Sequence, residues 1–326
     1  MPAPLKAGEI LRERYQLERI IGQGGMGNIY LANDLRLQGR QCAVKEVAHD
    51  MSLDPDMLKE VRDQFFREAT VLARLDHPNL PKVSDFFSID NLDYLVMDYV
   101  PGNDLRTIMM EARQNHRFIP EEDVLNWANQ IANALTYLHT QDPPVLHRDI
   151  KPSNLKLTPS GLLKLVDFGL VKILAKGEVT ITVLQGQGTA IYTPLEQYGG
   201  DMGHTGIRSD IFSFGATLYH LLTNEAPADA RERFLDPAAL ISPRQINPEV
   251  SIRTERAILH AMNLHPDQRP ATAEDFRRIL LGNQPVILQN VQSASSLRDL
   301  FRTGHDVILL ASSGALMLLA LLLSIF

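Results

Sequence analysis

His147-Arg148-Asp149-Ile150-Lys151-Pro152-Ser153-Asn154, followed by Asp167-Phe168-Gly169, is the stretch on which the reading of this chain turns. Asp149 can act as a base, while Asn154 and Asp167 carry the hard oxygens that a divalent cation prefers. Lys151, between them, is a cation placed to meet negative charge. A lone Asp-Phe-Gly is weak, but four such groups in this order and spacing point to phosphoryl transfer.

Working outward, the chain before this stretch is rich in strand signals. Tyr15 to Ile21, Asn28 to Asn33 and Gln41 to Val47 are β-rich runs separated by glycine or polar turns, the pattern of an antiparallel meander. From Asp54-Pro55, the apolar residues Val61, Phe65, Ala69, Leu72 and Leu75 recur at helical spacing, with Pro55 suited to a first-turn position. Val83 to Phe87 and Tyr94 to Tyr99 read as two more strands, and Pro101-Gly102 closes the sheet-rich part. Beyond it the period becomes helical: Val124, Trp127, Ala128, Ile131, Leu135 and Leu138 mark one buried face, and Ile211 to Thr223 and Ala257 to Leu264 mark others. Residues 1 to about 14 read as a short lead, and no internal repeat is visible.

Gly22-Gln23-Gly24-Gly25-Met26-Gly27 matches a pattern that dinucleotide-binding folds also use, but those require a helix directly after the last glycine. Here Asn28-Ile29-Tyr30-Leu31 continues as a strand, which places the glycines at a hairpin tip where backbone without Cβ atoms can approach a phosphate. The strand pair leads to Cys42-Ala43-Val44-Lys45, and Phe66-Arg67-Glu68 lies on the helix that follows.

Together these motifs resemble the protein kinase family, over roughly Tyr15 to Leu281. The resemblance implies an α+β, bilobal fold: a five-stranded antiparallel lobe with one helix (15–100) and a mainly helical lobe (101–281), with ATP between them. It implies that Lys45 reaches the α and β phosphates and pairs with Glu68, and that Ile21, Gly22, Gly24, Gly27, Ile29 and Ala43 line the nucleotide. Met97-Asp98-Tyr99-Val100 is similar to the hinge, with Met97 as gatekeeper and the backbone of Asp98 and Val100 facing adenine. Asp104 is a candidate for the ribose hydroxyls, or simply a helix N-terminal charge. Lys156 departs from the pattern, since the family places an apolar residue there as the adenine floor; its methylene stem can cover the ring while the ammonium turns to solvent or to an acid such as Asp98.

For the chemistry, the resemblance assigns Mg²⁺ to Asn154 and Asp167, the γ-phosphate charge to Lys151, and the acceptor hydroxyl to Asp149. His147 becomes a packing residue against Phe168, Leu72 and Val83. Lys151 with Gly188-Thr189 is the serine/threonine version of the pattern, in which Thr189 bonds near Asp149 and Lys151. Aminoglycoside phosphotransferases share the metal logic but lack the Gly188-to-Glu196 segment, Asp210 in Ser209-Asp210-Ile211-Phe212-Ser213-Phe214-Gly215, and Arg269 in His265-Pro266-Asp267-Gln268-Arg269-Pro270. Glu196 and Arg269 are expected to form a buried pair, although Pro194-Leu195-Glu196 stands where the family has Ala-Pro-Glu. Arg148 beside Asp149 implies control by phosphorylation, with Thr180 and Thr182 as candidates; solvated loop threonines are the alternative. A rival from another class is a scaffold that binds nucleotide without transferring phosphate, for which Lys156 and Pro194-Leu195 are the sequence support.

Composition sets the remaining bounds. In 326 residues, 44% hydrophobic and 22% charged, there is room for a sizeable core, and a net charge of −7 without a basic run excludes an electrostatic footprint for nucleic acid. The single cysteine, Cys42, rules out an internal disulfide and reads as a buried strand residue. Val307 to Phe326 carries no charge, and about 20 residues at ~1.5 Å rise span roughly 30 Å, so a transmembrane helix (307–326) after a juxtamembrane linker (282–306) is expected. A buried helix of the soluble part is the alternative; Ser312, Ser313 and Ser324 make no charged stripe for an interfacial one. Met1 to Glu9 has no apolar core of signal-peptide type, and Arg298 and Arg302 precede the span, so the expectation is a single-pass membrane protein with its catalytic domain cytoplasmic, like the membrane-anchored bacterial kinases of this type. The chain ends within the span, which leaves either no outer domain or a fragment of a longer protein. Ala311 and Ala315 form a small-x-x-x-small step, a weak hint of a homodimer.

Overall fold

The sheet-rich half folds as six antiparallel strands and one long helix, in a computed structural model that describes residues 4–24, 27–49, 54–90, 92–167, 190–198 and 205–282. The strands are β1 (Ile10–Leu11), β2 (Tyr15–Gly24), β3 (Gly27–Asp34), β4 (Gln41–Ala48), β5 (Val83–Ile89) and β6 (Leu92–Asp98). Their spatial order is β1-β2-β3-β4-β6-β5. Six strands replace the expected five because Ile10 and Leu11, assigned to a lead, pair with Gln16 and Tyr15 across a tight turn. Two residues of alternation are too short a period to recognise in sequence.

Tyr15, Leu17, Tyr30, Ala32, Cys42, Val44, Phe87, Tyr94 and Val96 make a core on one face of this sheet, which is where the single cysteine goes. On the other face packs α1 (Pro55–Arg74), burying Phe65, Glu68, Ala69 and Leu72. Its start follows from local chemistry: Asp54 Oδ1 accepts from the Asp56 and Met57 N–H groups, and Pro55 takes the first helical position, where no N–H is needed.

After the hinge come a small sheet and a helical lobe. Strands β7 (Asn103–Asp104), β8 (Leu155–Leu157) and β9 (Leu163–Leu165) form a three-stranded antiparallel sheet, unforeseen in the sequence because each is only two or three residues long. Gly102, at φ +103°, precedes it; a Cβ there would lie 2.1 Å from the Leu157 carbonyl oxygen, so only glycine lets the hinge approach β8 this closely. The helices are α2 (Leu105–Gln114), α3 (Glu121–His139), α4 (Ile207–Thr223), α5 (Ala230–Leu235), α6 (Pro243–Ile246), α7 (Ile252–Ala261) and α8 (Ala273–Leu281). Helix α4 is buried nearly all round, from Ser209 to Tyr219 and again from Leu221 to Thr223, as befits a helix at the centre of its lobe.

The chain divides at Val286, and the unit from Ile287 to Phe326 lies outside the described residues. The expected span 307–326 and all of the expected 282–306 linker except Gly282 lie outside the described residues. Among the described residues no helix is long and apolar enough to cross a membrane.

Candidate active site

Asp210 organises the site from below. Placed in the first turn of α4 and wholly buried, its carboxylate accepts from the backbone N–H groups of His147 (2.9 Å) and Arg148 (2.7 Å) and from His139 Nε2 (2.9 Å). Burial alone would raise its pKa, but these partners hold the carboxyl below the usual carboxylate range. The loop ahead of Asp149 is thereby clamped at two successive amides. Arg148 can then keep a left-handed φ of 63°, an uncommon conformation for a long side chain.

Three hydroxyls spaced four residues apart on α4 extend the clamp. Ser209 Oγ donates to Glu196 (2.8 Å), Ser213 Oγ to the Tyr192 carbonyl (2.7 Å), and Thr217 Oγ1 to the Ile150 carbonyl (3.2 Å). One helix face thus fixes both the catalytic loop and the 190–198 segment. The i, i+4 spacing of these hydroxyls was legible in the sequence as a polar stripe, but which segments it would hold was not.

Asp149 is 8% exposed. Its Oδ2 accepts from Lys151 Nζ (2.8 Å) and from Asn154 Nδ2 (2.9 Å), and Asn154 Nδ2 also reaches the Asp149 carbonyl (2.8 Å). Asp149 Oδ1 is buried and has no hydrogen-bond partner among the described residues. A buried acceptor left open costs about 1–3 kcal/mol, so it is a site where a donor from outside would be welcomed. The amide of Asn154, turned this way by its Nδ2, accepts at Oδ1 from the Ser153 hydroxyl (3.4 Å).

Across from this loop, Lys45 on β4 contacts the carboxylate of Asp167. Asp167 sits just beyond β9 at φ 56°; burial pushes its pKa up, but Lys45, and then Lys151, bring it below the ordinary carboxylate value. Lys45, Asp149, Lys151, Asn154 and Asp167, distant in sequence, therefore gather in one place. Glu68 faces the interior from α1, 3% exposed, and takes a hydrogen bond from Gln64 (2.8 Å). His147 is fully buried, and burial drives its pKa below the usual histidine value. Phe168, Thr180, Thr182 and Thr189 lie outside the described residues.

On the nucleotide side, Gly24 and Gly27 close the β2–β3 hairpin, flanked by Gly22 opposite Ile29. Gly27 has an internal reason to be glycine: at φ +142° a Cβ would stand 2.2 Å from the Glu46 carbonyl oxygen. Ile21 and Ile29 are half-buried, while Ala43, Met97 and Val100 are buried. Asp98 donates its N–H to the Lys82 carbonyl (3.0 Å), and its carboxylate accepts from the Lys82 N–H (3.1 Å) and Arg40 (3.3 Å). Lys156 stands in register opposite Asp104 on one side and Lys164 on the other. Asp104 caps α2, its Oδ1 accepting from the Thr107 N–H at 2.8 Å.

Glu196 and Arg269 meet at 2.6 and 3.0 Å, both side chains almost excluded from water. All five guanidinium hydrogens are used, since Arg269 also donates to the carbonyls of Asn263 (2.7 Å), Arg208 (3.0 Å) and Leu264 (2.8 Å).

The Val166 N–H donates to the Asn154 carbonyl (2.8 Å), which brings the residue next to Asp167 against Asn154, and an amide oxygen with a carboxylate is a donor set that fits a hard divalent cation keeping other oxygen ligands. Among the described residues no group of three or more His, Cys, Asp and Glu gathers that would hold a metal by protein ligands alone.

Residues 15–284 match the protein kinase domain family, and the chain belongs to that family. It is 35% identical over 277 residues to the serine/threonine-protein kinase PrkC of Bacillus subtilis, covering 82% of this chain and 40% of PrkC. It is 32% identical over 275 residues to the tyrosine-protein kinase MasK of Myxococcus xanthus, covering 80% of this chain and 42% of MasK. Among solved structures, the PknI kinase domain of Mycobacterium tuberculosis superposes with a TM-score of 0.66 at 27% identity, over 85% of this chain and 98% of that one. The chain spans about two fifths of the length of the curated relatives it matches.

Proposed function

We propose that this chain is an ATP- and Mg²⁺-dependent serine/threonine protein kinase, transferring the γ-phosphoryl group of ATP to hydroxyls of protein substrates. The observation that carries the reading is Asp149: one carboxylate oxygen held by Lys151 and Asn154, the other buried and open. An acceptor hydroxyl donating to Oδ1 would be oriented for in-line attack and would have a base for its proton. Lys151 meets charge on the transferring group, and Lys45 fixes the more internal phosphates. Mg²⁺, where bound by Asn154 and Asp167, would neutralise phosphate charge.

Ile21, Ile29, Ala43, Met97 and Val100 supply apolar walls for adenine. The Asp98 N–H is engaged by Lys82, so the hinge would use the Asp98 carbonyl and the Val100 N–H. Lys156 would cover the ring with its stem, close to Asp104 rather than Asp98. Loop control by phosphorylation at Thr180 or Thr182 has one support among the described residues: Arg148 Nε is buried without a hydrogen-bond partner, and burial lowers the guanidinium pKa to about 10. A guanidinium so placed favours an incoming phosphate. Membrane anchoring through 307–326, a cytoplasmic catalytic domain and pairing of two copies belong to the same reading and rest on the sequence alone.

The test is phosphate transfer from radiolabelled ATP, with and without Mg²⁺, to peptides offering serine, threonine or tyrosine, comparing the chain with Asp149→Asn. Loss of at least ~10²-fold in the variant, with serine and threonine preferred, is expected. Equal incorporation by both proteins would sink the assignment of Asp149, and preference for tyrosine would sink the acceptor class.

A further inference from the structure

Although the chain is acidic overall, with a net charge of −7, one helix face beside the Asp149 loop carries two arginines. Helix α2 packs against the loop at Pro152–Asn154 and against α4. Arg106, Met110 and Arg113 recur on it at i, i+4 and i+7, so they share one face, and all three are exposed. Arg113 reaches Glu225 just beyond α4, at 3.0 Å. Arg106 has no hydrogen bond or ion pair among the described residues. Within reach of the charges of Arg106 and Asp149 lies a ring couple: the hydroxyl of buried Tyr192 and Nδ1 of half-buried His220 are 2.7 Å apart, their rings stacked at 6.0 Å.

The electrostatics tie these groups together. Burial raises the pKa of the Tyr192 hydroxyl, Arg106 opposes the rise and Asp149 adds to it, so the phenol lies within the fields of both. Burial lowers that of His220 to about 4, with Arg113 and then Arg106 contributing. His220 is therefore neutral at ordinary pH, and the positive charge here is that of the arginines. Acids lie close by, and among the described residues they leave Arg106 as the arginine without a partner. Glu225 answers Arg113 alone, Asp104 is engaged as the cap of α2, and Glu111 lies about 100° round the helix from Met110. Asp149 itself is matched by Lys151.

We infer that the Arg106–Met110–Arg113 face is the docking surface for the acceptor protein, and that it selects acidic segments: acceptors with Asp, Glu or phosphorylated side chains near the hydroxyl that enters Asp149. This deepens the kinase reading and rests on it. Charge complementarity decides the occupant, because a basic segment would have to bring like charge onto an arginine that no described residue pairs. Met110, flexible and apolar between the two guanidinium groups, gives such a segment an apolar contact without imposing one shape.

The experiment measures kcat and KM for serine peptides identical except for glutamate, glutamine or lysine on either side of the acceptor, at low and high salt. The full chain is compared with Arg106→Glu and with Arg106→Glu/Arg113→Glu. Glutamate peptides should be favoured over glutamine ones by about 5-fold per arginine engaged, mainly through KM. Lysine peptides should rank last, salt should compress the order, and the variants should reverse it. Both arginines are exposed, so the ATP KM of the variants should stay unchanged and report that they fold. A ranking indifferent to charge, or one that survives both substitutions, overturns the inference. Absence of transfer to every peptide, glutamine included, would instead sink the kinase reading on which it stands.

Discussion

Removing Arg269 strands more than its charge partner. In Arg269→Ala the Glu196 carboxylate stays in a site where its side chain is only 6% exposed, with Ser209 Oγ as its remaining donor among the described residues. The carbonyls of Asn263, Leu264 and Arg208 lose a donor as well. Breaking one side of a buried pair costs about 3–5 kcal/mol. For a domain of this size each kcal/mol moves Tm by roughly 2–4 °C, so a fall of about 6–20 °C is expected. Glu196→Gln should be milder, about 1.5–3 kcal/mol, because the amide keeps the volume and one oxygen for the guanidinium. A third variant, Glu196→Leu/Arg269→Leu, removes the buried charge altogether and should recover part of the loss of Arg269→Ala. Scanning fluorimetry and urea unfolding measure all three. If Arg269→Ala lowers Tm by less than about 2 °C, or the double variant is worse than it, the pair does not tie the 190–198 segment to the helical lobe.

Other consequences can be measured as readily. Gly27→Ala should lose stability by about 1–3 kcal/mol as well as nucleotide binding, since its Cβ would meet the Glu46 carbonyl oxygen at 2.2 Å, whereas Gly24→Ala meets nothing within 4 Å and should keep wild-type stability, any loss appearing in ATP affinity alone; urea unfolding beside calorimetric titration with ATP separates them. Ser213→Ala, which leaves the buried Tyr192 carbonyl without its donor, should destabilise by about 1–3 kcal/mol and slow turnover with little change in ATP KM. His220 gives a pH dependence of definite sign. Its folded pKa of about 4 lies below the ordinary 6.5, so the unfolded chain binds the extra proton between those values. Stability should be complete above about 6.5 and fall as pH drops toward 4, by at most about 3 kcal/mol and less to the extent that the ring is solvated. His220→Asn, which can still accept from the Tyr192 hydroxyl, should flatten that slope in urea titrations; an unchanged slope would remove His220 as its source.

Much of the site could be read in advance because phosphoryl transfer leaves few choices of residue. A base, a lysine and two hard-oxygen ligands in fixed order were visible as Asp149, Lys151, Asn154 and Asp167, and the switch from strand to helical period near Pro101 marked the two lobes. The short elements were hidden: β1, β7, β8 and β9 are two or three residues each and exist because partners distant in sequence supply their hydrogen bonds. The roles of His139, Tyr192 and His220 were equally invisible, since each depends on a contact made across at least 28 residues.

What the amino-acid order settled by itself was the set of chemical groups and the local periods, because residue type and spacing act within a few turns of chain. What folding alone decided was which oxygen of Asp149 stays open, that α4 fastens two loops by Asp210 and three hydroxyls, and that the helix carrying Arg106 and Arg113 packs against the turn at Pro152–Asn154. Those facts depend on the packing of segments far apart in the chain, where burial and a few tenths of an ångström determine whether a polar atom is satisfied.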